Sequence, residues 1–241
     1  MSKKVNIRLV TNKIKDWGRE YLYSLAGLVY PSACHLCKNE LHSDESLVCS
    51  ICWQEIAGIE PIYHSELMLI NEIPIYGIFS LAMHQEKTQE LVHLIKYENL
   101  QLLAERWITV CADRLDKLKD LPIDFIVPVP LHHARRRERS YDQALVISRA
   151  VAKIIGKKVE TKAIRRCRNT KQMVNLAGRE RLNNVLDAFS SYPEVELKGA
   201  RVLLVDDVYT TGATTSQSAK ALYAEGALQV YVFSMTRAMG S

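Results

Sequence analysis

The stretch "RVLLVDDVYTTGATTSQ", residues 201–217, decides the fold. It opens with a near-continuous apolar run, the pattern of a strand buried on both faces of a parallel sheet. The run ends on two adjacent carboxylates, Asp206 and Asp207, followed by threonines around Gly212. In an open parallel sheet, ligands bind beyond the carboxyl ends of the strands. The sequence therefore predicts a strand ending at Asp207, after which the chain turns and both acids can address one ligand.

The turn has its own chemistry. Gly212 lets the backbone approach an anion, and the N–H groups that open the following helix point at it. Thr210, Thr211 and Thr214 add hydroxyl donors. This is no Walker loop, because the lysine of GxxxxGK is missing and the carboxylates precede the turn. Two carboxylates repel a bare phosphate but suit vicinal hydroxyls, or a Mg²⁺ ion with its waters. A ligand with a diol beside a phosphate is a ribose 5-phosphate. An acidic turn with a threonine N-cap would account for one Asp and one Thr, and leaves the rest of the run unexplained.

Outward from this stretch the periodicity alternates. Helical patterns cover "TQELVHLIKY", "LLAERWITVCADRLDKL", "DQALVISRAVAKII" and "TTSQSAKALYAEG". Strand patterns cover "IPIYGIFSLAM", "DFIVPVP", "KVETKAI", "RVLLVDD" and "LQVYVFSM". Strands alternating with helices predict an α/β fold with a parallel sheet covered on both faces. The segment around Gly58, Pro61 and Pro74 is turn-prone. Residues 1–30 place Ile14, Trp17, Tyr21, Leu25 and Leu28 at helical spacing and predict an amphipathic packing helix ahead of Pro31.

Between that helix and the α/β pattern lie "CHLC" and "CSIC": Cys34, Cys37, Cys49 and Cys52, two CxxC pairs separated by eleven residues. Each pair sets two thiolates on one tight turn, and two such turns complete the tetrahedron that Zn²⁺ accepts. Four thiolates leave no open position, so the expected role is structural, and His35 and His42 are not needed as ligands. Disulfides are the competing reading, and the absence of a secretory pattern argues against them. "MSKKVNIRLVTNKIKDW" starts basic, but Asn6, Arg8, Asn12 and Lys13 interrupt any apolar core. The apolar stretch over residues 25–30 is too short to span a bilayer, so a cytoplasmic protein without membrane insertion is expected. Of the other two cysteines, Cys111 falls in an apolar helical pattern and reads as core; Cys167 lies among arginines and reads as an inert thiol.

An apolar fraction of 48% and a charged fraction of 24% exclude disordered, collagen-like and membrane classes. The net charge of +5 says less than its distribution. Ten of the 32 basic residues fall in two segments, Arg135, Arg136, Arg137 and Arg139, then Arg165, Arg166, Arg168, Lys171, Arg179 and Arg181. Solvated surface charge would explain either alone. Both, in predicted loops of the acidic motif's own domain, favour an anionic ligand.

The acidic motif resembles the phosphoribosyl-pyrophosphate (PRPP) motif of type I phosphoribosyltransferases. From about residue 20 to its end the chain is similar to the ComF family of competence-associated proteins, through the four cysteines, "HLIKY", "VPVPLHHARRRERSYDQA", "RCRNTKQMVNLAGRERLNNVLDAF" and the acidic motif. The resemblance implies a zinc-finger module with its N-terminal helix over residues 1–57 and a phosphoribosyltransferase-like domain over residues 58–241. It makes Asp206 and Asp207 the ribose and metal ligands, and Thr210, Thr211, Gly212, Ala213 and Thr214 the cradle of the 5′-phosphate. Arg135 and Arg137 would approach pyrophosphate, while Lys171, Arg179 and Arg181 belong to a segment like the family's closing loop. Lys96 of "HLIKY" matches a family position whose role the sequence does not assign.

The chain departs from the family pattern where glycine and asparagine give way to Ser140 and Asp142, and Gln172 stands one place early. Ser140 would strain a turn that needs positive φ. Asp142 would lower the positive potential facing pyrophosphate. The resemblance further implies a magnesium-dependent transfer of phosphoribose with release of pyrophosphate, a role in natural transformation and DNA uptake, and single-stranded DNA and a competence helicase as candidate partners. For single-stranded DNA, Tyr141 is the one aromatic near the basic turn. No general base and no nucleobase pocket stand out, and the acceptor is open. A non-catalytic reading, in which the PRPP site regulates DNA handling, stands beside the transferase.

Overall fold

The computed structural model describes residues 33–98, 100–131, 141–167, 188–191 and 195–238. The helix expected over residues 1–30 lies outside them, as do Arg135, Arg137, Ser140, Lys171, Gln172, Arg179 and Arg181. The chain divides into two compact units, one ending at Cys52 and one starting at Trp53. Along it run helix α1 (Ser50–Gly58), strands β1 (Ile62–His64), β2 (Met68–Ile70), β3 (Ile73–Ile75) and β4 (Gly77–Met83), then helices α2 (Glu86–Tyr97), α3 (Gln101–Val110) and α4 (Asp116–Lys119). Strand β5 (Phe125–Pro128), helix α5 (Gln143–Ile155), and strands β6 (Lys158–Val159), β7 (Ile164–Arg166), β8 (Phe189–Ser191) and β9 (Arg201–Tyr209) follow. Helix α6 (Ala213–Ala224) and strand β10 (Gln229–Arg237) complete the described elements.

Six strands form the main sheet in the order β1-β4-β10-β9-β5-β6. All neighbours pair parallel except the edge strand β1, which runs antiparallel to β4. The expected α/β class with a mostly parallel sheet is borne out. Its centre is β9, where Val202, Leu203, Leu204 and Val205 are all buried. Alternation sends Val202 and Leu204 into a core with Ala219 and Leu222 of α6, Val230 and Val232 of β10, and Val127 of β5. Leu203 and Val205 then face the opposite side of the sheet.

Helix α5 forms because Ala144, Ile147, Val151 and Ile155 recur at helical spacing and are buried together. Asp142 caps its first turn by accepting the Leu145 N–H at 3.2 Å. Gly156, at φ 68°, ends it in the left-handed region. The Asp142 carboxylate is buried at this cap, and the basic turn that it was expected to weaken lies outside the described residues.

Several expected elements differ in detail. "IPIYGIFSLAM" forms two strands, because β3 pairs antiparallel with β2 in a separate hairpin while the Tyr76 N–H already bonds Val230 O of β10. Positive φ at Asn71 (51°) and Glu72 (68°) makes the tight turn of that hairpin, in a region that reads from sequence as turns alone. The long helix over "LLAERWITVCADRLDKL" breaks at Cys111, giving α3, a 3₁₀ turn (Ala112–Leu115) and α4. "KVETKAI" divides between two-residue β6 and β7, which leaves the main sheet to pair with β8. Cys111 is buried, as expected for core packing.

Candidate functional site

The four cysteines are brought together. Their sulfurs all lie within 4.8 Å of one another, with Cys34 and Cys52 at 3.9 Å and Cys37 and Cys49 at 3.7 Å. A disulfide needs about 2.05 Å. A tetrahedron of thiolates at the usual Zn–S length of about 2.3 Å has edges of about 3.8 Å. The set therefore fits a metal such as zinc.

The local sequence builds this geometry. Lys38 takes φ 62° and closes the first turn with its N–H on Cys34 O at 2.9 Å. Glu45 accepts the N–H of His42 at 3.0 Å and of Ser50 at 2.6 Å, and those bonds hold its carboxyl near 2. Burial opposes ionisation of Cys34, but the backbone N–H groups of Cys37, Cys49 and Leu36 outweigh it and bring that thiol down to about 7. Burial and the neighbouring cysteines push Cys52 far upward. Sulfurs this close together share one environment, and a cation at the centre would favour the thiolate form of all four.

The acidic pair lies on a longer strand than expected. β9 continues through both acids to Tyr209, because β10 is equally long and pairs with it up to Tyr209–Arg237. Asp206 and Asp207 accordingly leave opposite faces of an extended chain. They remain coupled nonetheless. The Asp207 N–H donates to Asp206 Oδ1 at 2.9 Å. Burial first, then the charge of Asp207, raise the Asp206 carboxyl to about 7.

On its own face, Asp207 meets Lys96 of α2, with Nζ 2.9 Å from Oδ2 and both side chains less than one-fifth exposed. His84, immediately beyond β4, is hydrogen-bonded through Nδ1 to Thr236 Oγ1 at 2.9 Å. Burial and then the Lys96 charge lower its pKa, with Asp207 opposing. Neither His84 nor Thr236 is marked by a motif. The rule that sites gather at strand carboxyl ends, applied to β4 as it was to β9, points to His84.

The turn at Gly212 keeps its expected form. Gly212 adopts φ 73° as the N-cap of α6, without a side-chain cap, so the helix starts on backbone alone with its N-terminus at this turn. No other residue fits there: a Cβ would stand 2.5 Å from Ile70 Cγ2 and 2.6 Å from Tyr209 Oη. The hairpin β2–β3 therefore packs on the cradle, and Asn71 Nδ2 donates to Ser216 Oγ at 3.0 Å. Substitution Gly212→Ala is expected to cost about 2 kcal/mol or more, from left-handed strain plus overpacking. Urea unfolding of the two proteins measures it.

The structure thus brings Asp206, Asp207, Thr210, Thr211, Gly212, Ala213 and Thr214 to one strand-to-helix junction, adds Lys96 and places His84 beside that lysine. The basic-loop residues Arg135, Arg137, Lys171, Arg179 and Arg181 fall outside the described residues. Cys167 is exposed, with Sγ 2.8 Å from Ser190 Oγ. Among the described residues, no helix is long and apolar enough to cross a membrane.

No family model matches the chain. Its structure overlaps that of purine phosphoribosyltransferase from Pyrococcus horikoshii with a TM-score of 0.35 and 16% identity, over 57% of this chain and 87% of that one. By sequence it is 29% identical to "Competence protein F" of Haemophilus influenzae over 85% of this chain and 96% of that protein. It is 27% identical to "DNA utilization protein YhgH" of Salmonella typhi over 88% of this chain and all of that protein. The likeness first read from the cysteine pairs, the basic turn and the acidic motif is therefore borne out: over most of its length this chain has homologues named competence protein F and DNA utilization protein YhgH.

Proposed function

We propose that this chain binds PRPP with Mg²⁺ at the β9–α6 junction and serves DNA utilization in natural transformation. One observation carries the binding: two carboxylates, joined by the Asp207 N–H to Asp206 Oδ1 hydrogen bond, lie toward the carboxyl end of the central strand, and a left-handed Gly212 that opens α6 follows within five residues. Asp206 and Asp207, each from its own face of β9, are assigned the ribose hydroxyls and the metal, and Thr210 to Thr214 the 5′-phosphate. When bound, Mg²⁺ supplies charge neutralisation to the departing pyrophosphate. Arg135 and Arg137, with Lys171, Arg179 and Arg181, approach the same group. The residues 58–241 form the PRPP-binding domain, and residues 1–57 a module folded around structural Zn²⁺.

If transfer follows, the carbon–oxygen bond to pyrophosphate breaks through an oxocarbenium-like state, and catalysis is mostly positioning and electrostatic stabilisation. Calorimetric titration with PRPP and Mg²⁺ tests the site, and pyrophosphate release is then screened with bases, nucleosides and DNA as acceptors. Saturable binding at one site per chain is expected; absence of binding with the metal present overturns the reading. A second reading, which takes up the relatives' names of competence and DNA utilization, is a non-catalytic chain that handles single-stranded DNA and uses the PRPP site for regulation. In that case the same titration gives salt-dependent binding of single-stranded DNA and no pyrophosphate from any acceptor.

A further inference from the structure

Lys96 is the charged group that the proposed function leaves without a task. It sits in the last turn of α2, an element held at both ends. The Gln85 N–H donates to Thr88 Oγ1 at 2.9 Å, and that hydroxyl donates to Met83 O at 2.7 Å, which fixes the start of the helix on the end of β4. At the other end the Tyr141 hydroxyl donates to the carbonyl of Ile95, the residue before Lys96. The lysine's backbone is thus tied to the residue that precedes helix α5 and its cap, Asp142. From this anchored position Nζ reaches Asp207 Oδ2 at 2.9 Å, in a contact mostly shielded from water.

We propose that Lys96 is the resident counter-ion of the Asp206–Asp207 pair, holding Asp207 neutralised so that a ribose 5-phosphate binds here without a divalent cation. The inference rests on the sugar-phosphate reading of this site. An ionised Asp207 would oppose a phosphorylated sugar at this junction with like charge; Lys96 cancels that charge from within the protein. It also takes one oxygen of Asp207 that a metal would otherwise use. Mg²⁺ accepts only near-octahedral oxygen donors and is commonly held through substrate phosphates. With Lys96 on one oxygen of Asp207, the metal would depend mainly on pyrophosphate oxygens, the acids adding their remaining ones, and a sugar with no pyrophosphate has no need of it.

The test is calorimetric titration of ribose 5-phosphate into the full chain, in EDTA and then in excess Mg²⁺. Wild-type affinity is expected to change by less than about threefold between the two conditions. Lys96→Gln is expected to bind about tenfold or more weakly in EDTA, since an uncompensated charge is left in a partly dry site, and to recover with Mg²⁺. Lys96→Arg keeps the charge and is expected to retain metal-free binding within about threefold of wild type. Circular dichroism of each variant confirms folding, and if Lys96→Gln does not fold, the Arg variant and the wild-type metal dependence carry the test. A wild type that needs Mg²⁺ for ribose 5-phosphate, or a folded Lys96→Gln that binds in EDTA as wild type does, overturns the inference while leaving the site reading intact. A wild type that binds neither ribose 5-phosphate nor PRPP in either condition overturns both.

Discussion

Replacing Asp206 with asparagine is expected to weaken PRPP binding by about 10- to 100-fold and, at the same time, to make the ligand-free protein more stable at pH 8. The loss follows from removing a charged acceptor of the ribose hydroxyls, each such bond being worth about 1.5–3 kcal/mol. The gain in stability follows from what the native fold does to that carboxyl. Burial and Asp207 raise it from 3.8 to about 7, so between those values the folded chain keeps a proton that the unfolded chain has released. Stability therefore falls as pH rises through that window, and above it the fold carries an unfavourable carboxylate in full. Asparagine cannot ionise and removes this loss. A gain of order 2 kcal/mol would raise Tm by roughly 4–8 °C for a chain of this size. Thermal melts of both proteins from pH 4 to pH 8 show the effect as two curves that diverge with pH. Curves that stay parallel, or a variant that melts lower at pH 8, would contradict the electrostatic account; unaltered PRPP affinity would contradict the role in binding. Such a trade between stability and function is common where charge is held at a site.

The second large effect is expected at the cysteines. Cys52→Ser should drop the zinc content of purified protein from one ion per chain to near zero, and expose residues 33–52 to proteolysis. A serine hydroxyl does not replace a thiolate, and the metal supplies binding free energy of about 10–16 kcal/mol to structural sites of this type. Among the described residues, the regular backbone pairing of this segment consists of the isolated bridges Ala33–Glu40 and Ser46–Val48, beside the Glu45 carboxylate bonds and short turns. A chelator strong enough to strip the ion should reproduce the variant. Retention of one zinc by Cys52→Ser, or a metal-free wild type equally resistant to protease, would remove the structural role proposed for the cluster.

Both expectations start from motifs that are short in sequence, and that is why they are legible. Each CxxC acts within one turn, and the Gly212 turn needs only the conformational freedom of one residue beside a helix start. Likewise, the unbroken apolar run of "RVLLV" suffices to predict a strand covered on both faces. The α/β alternation also follows from periodicity alone, since burial on one side of a helix or both sides of a strand must appear in the order of residues.

What the order of residues determined, then, is the class of fold, the cysteine cluster and the junction of acids and glycine. The tertiary structure alone decided the surroundings of that junction. How far β9 runs past its acids depends on the length of β10, its partner. The hairpin that covers Gly212 is tied to α6 by Asn71 and Ser216, 145 residues apart, and His84 meets Thr236 across 152. Lys96 finds Asp207 only because α2 is anchored at both ends against other elements. Charge is read by distance through space, and no spacing along a chain reports which distant side chains the packing of a sheet and its helices will set 3 Å apart.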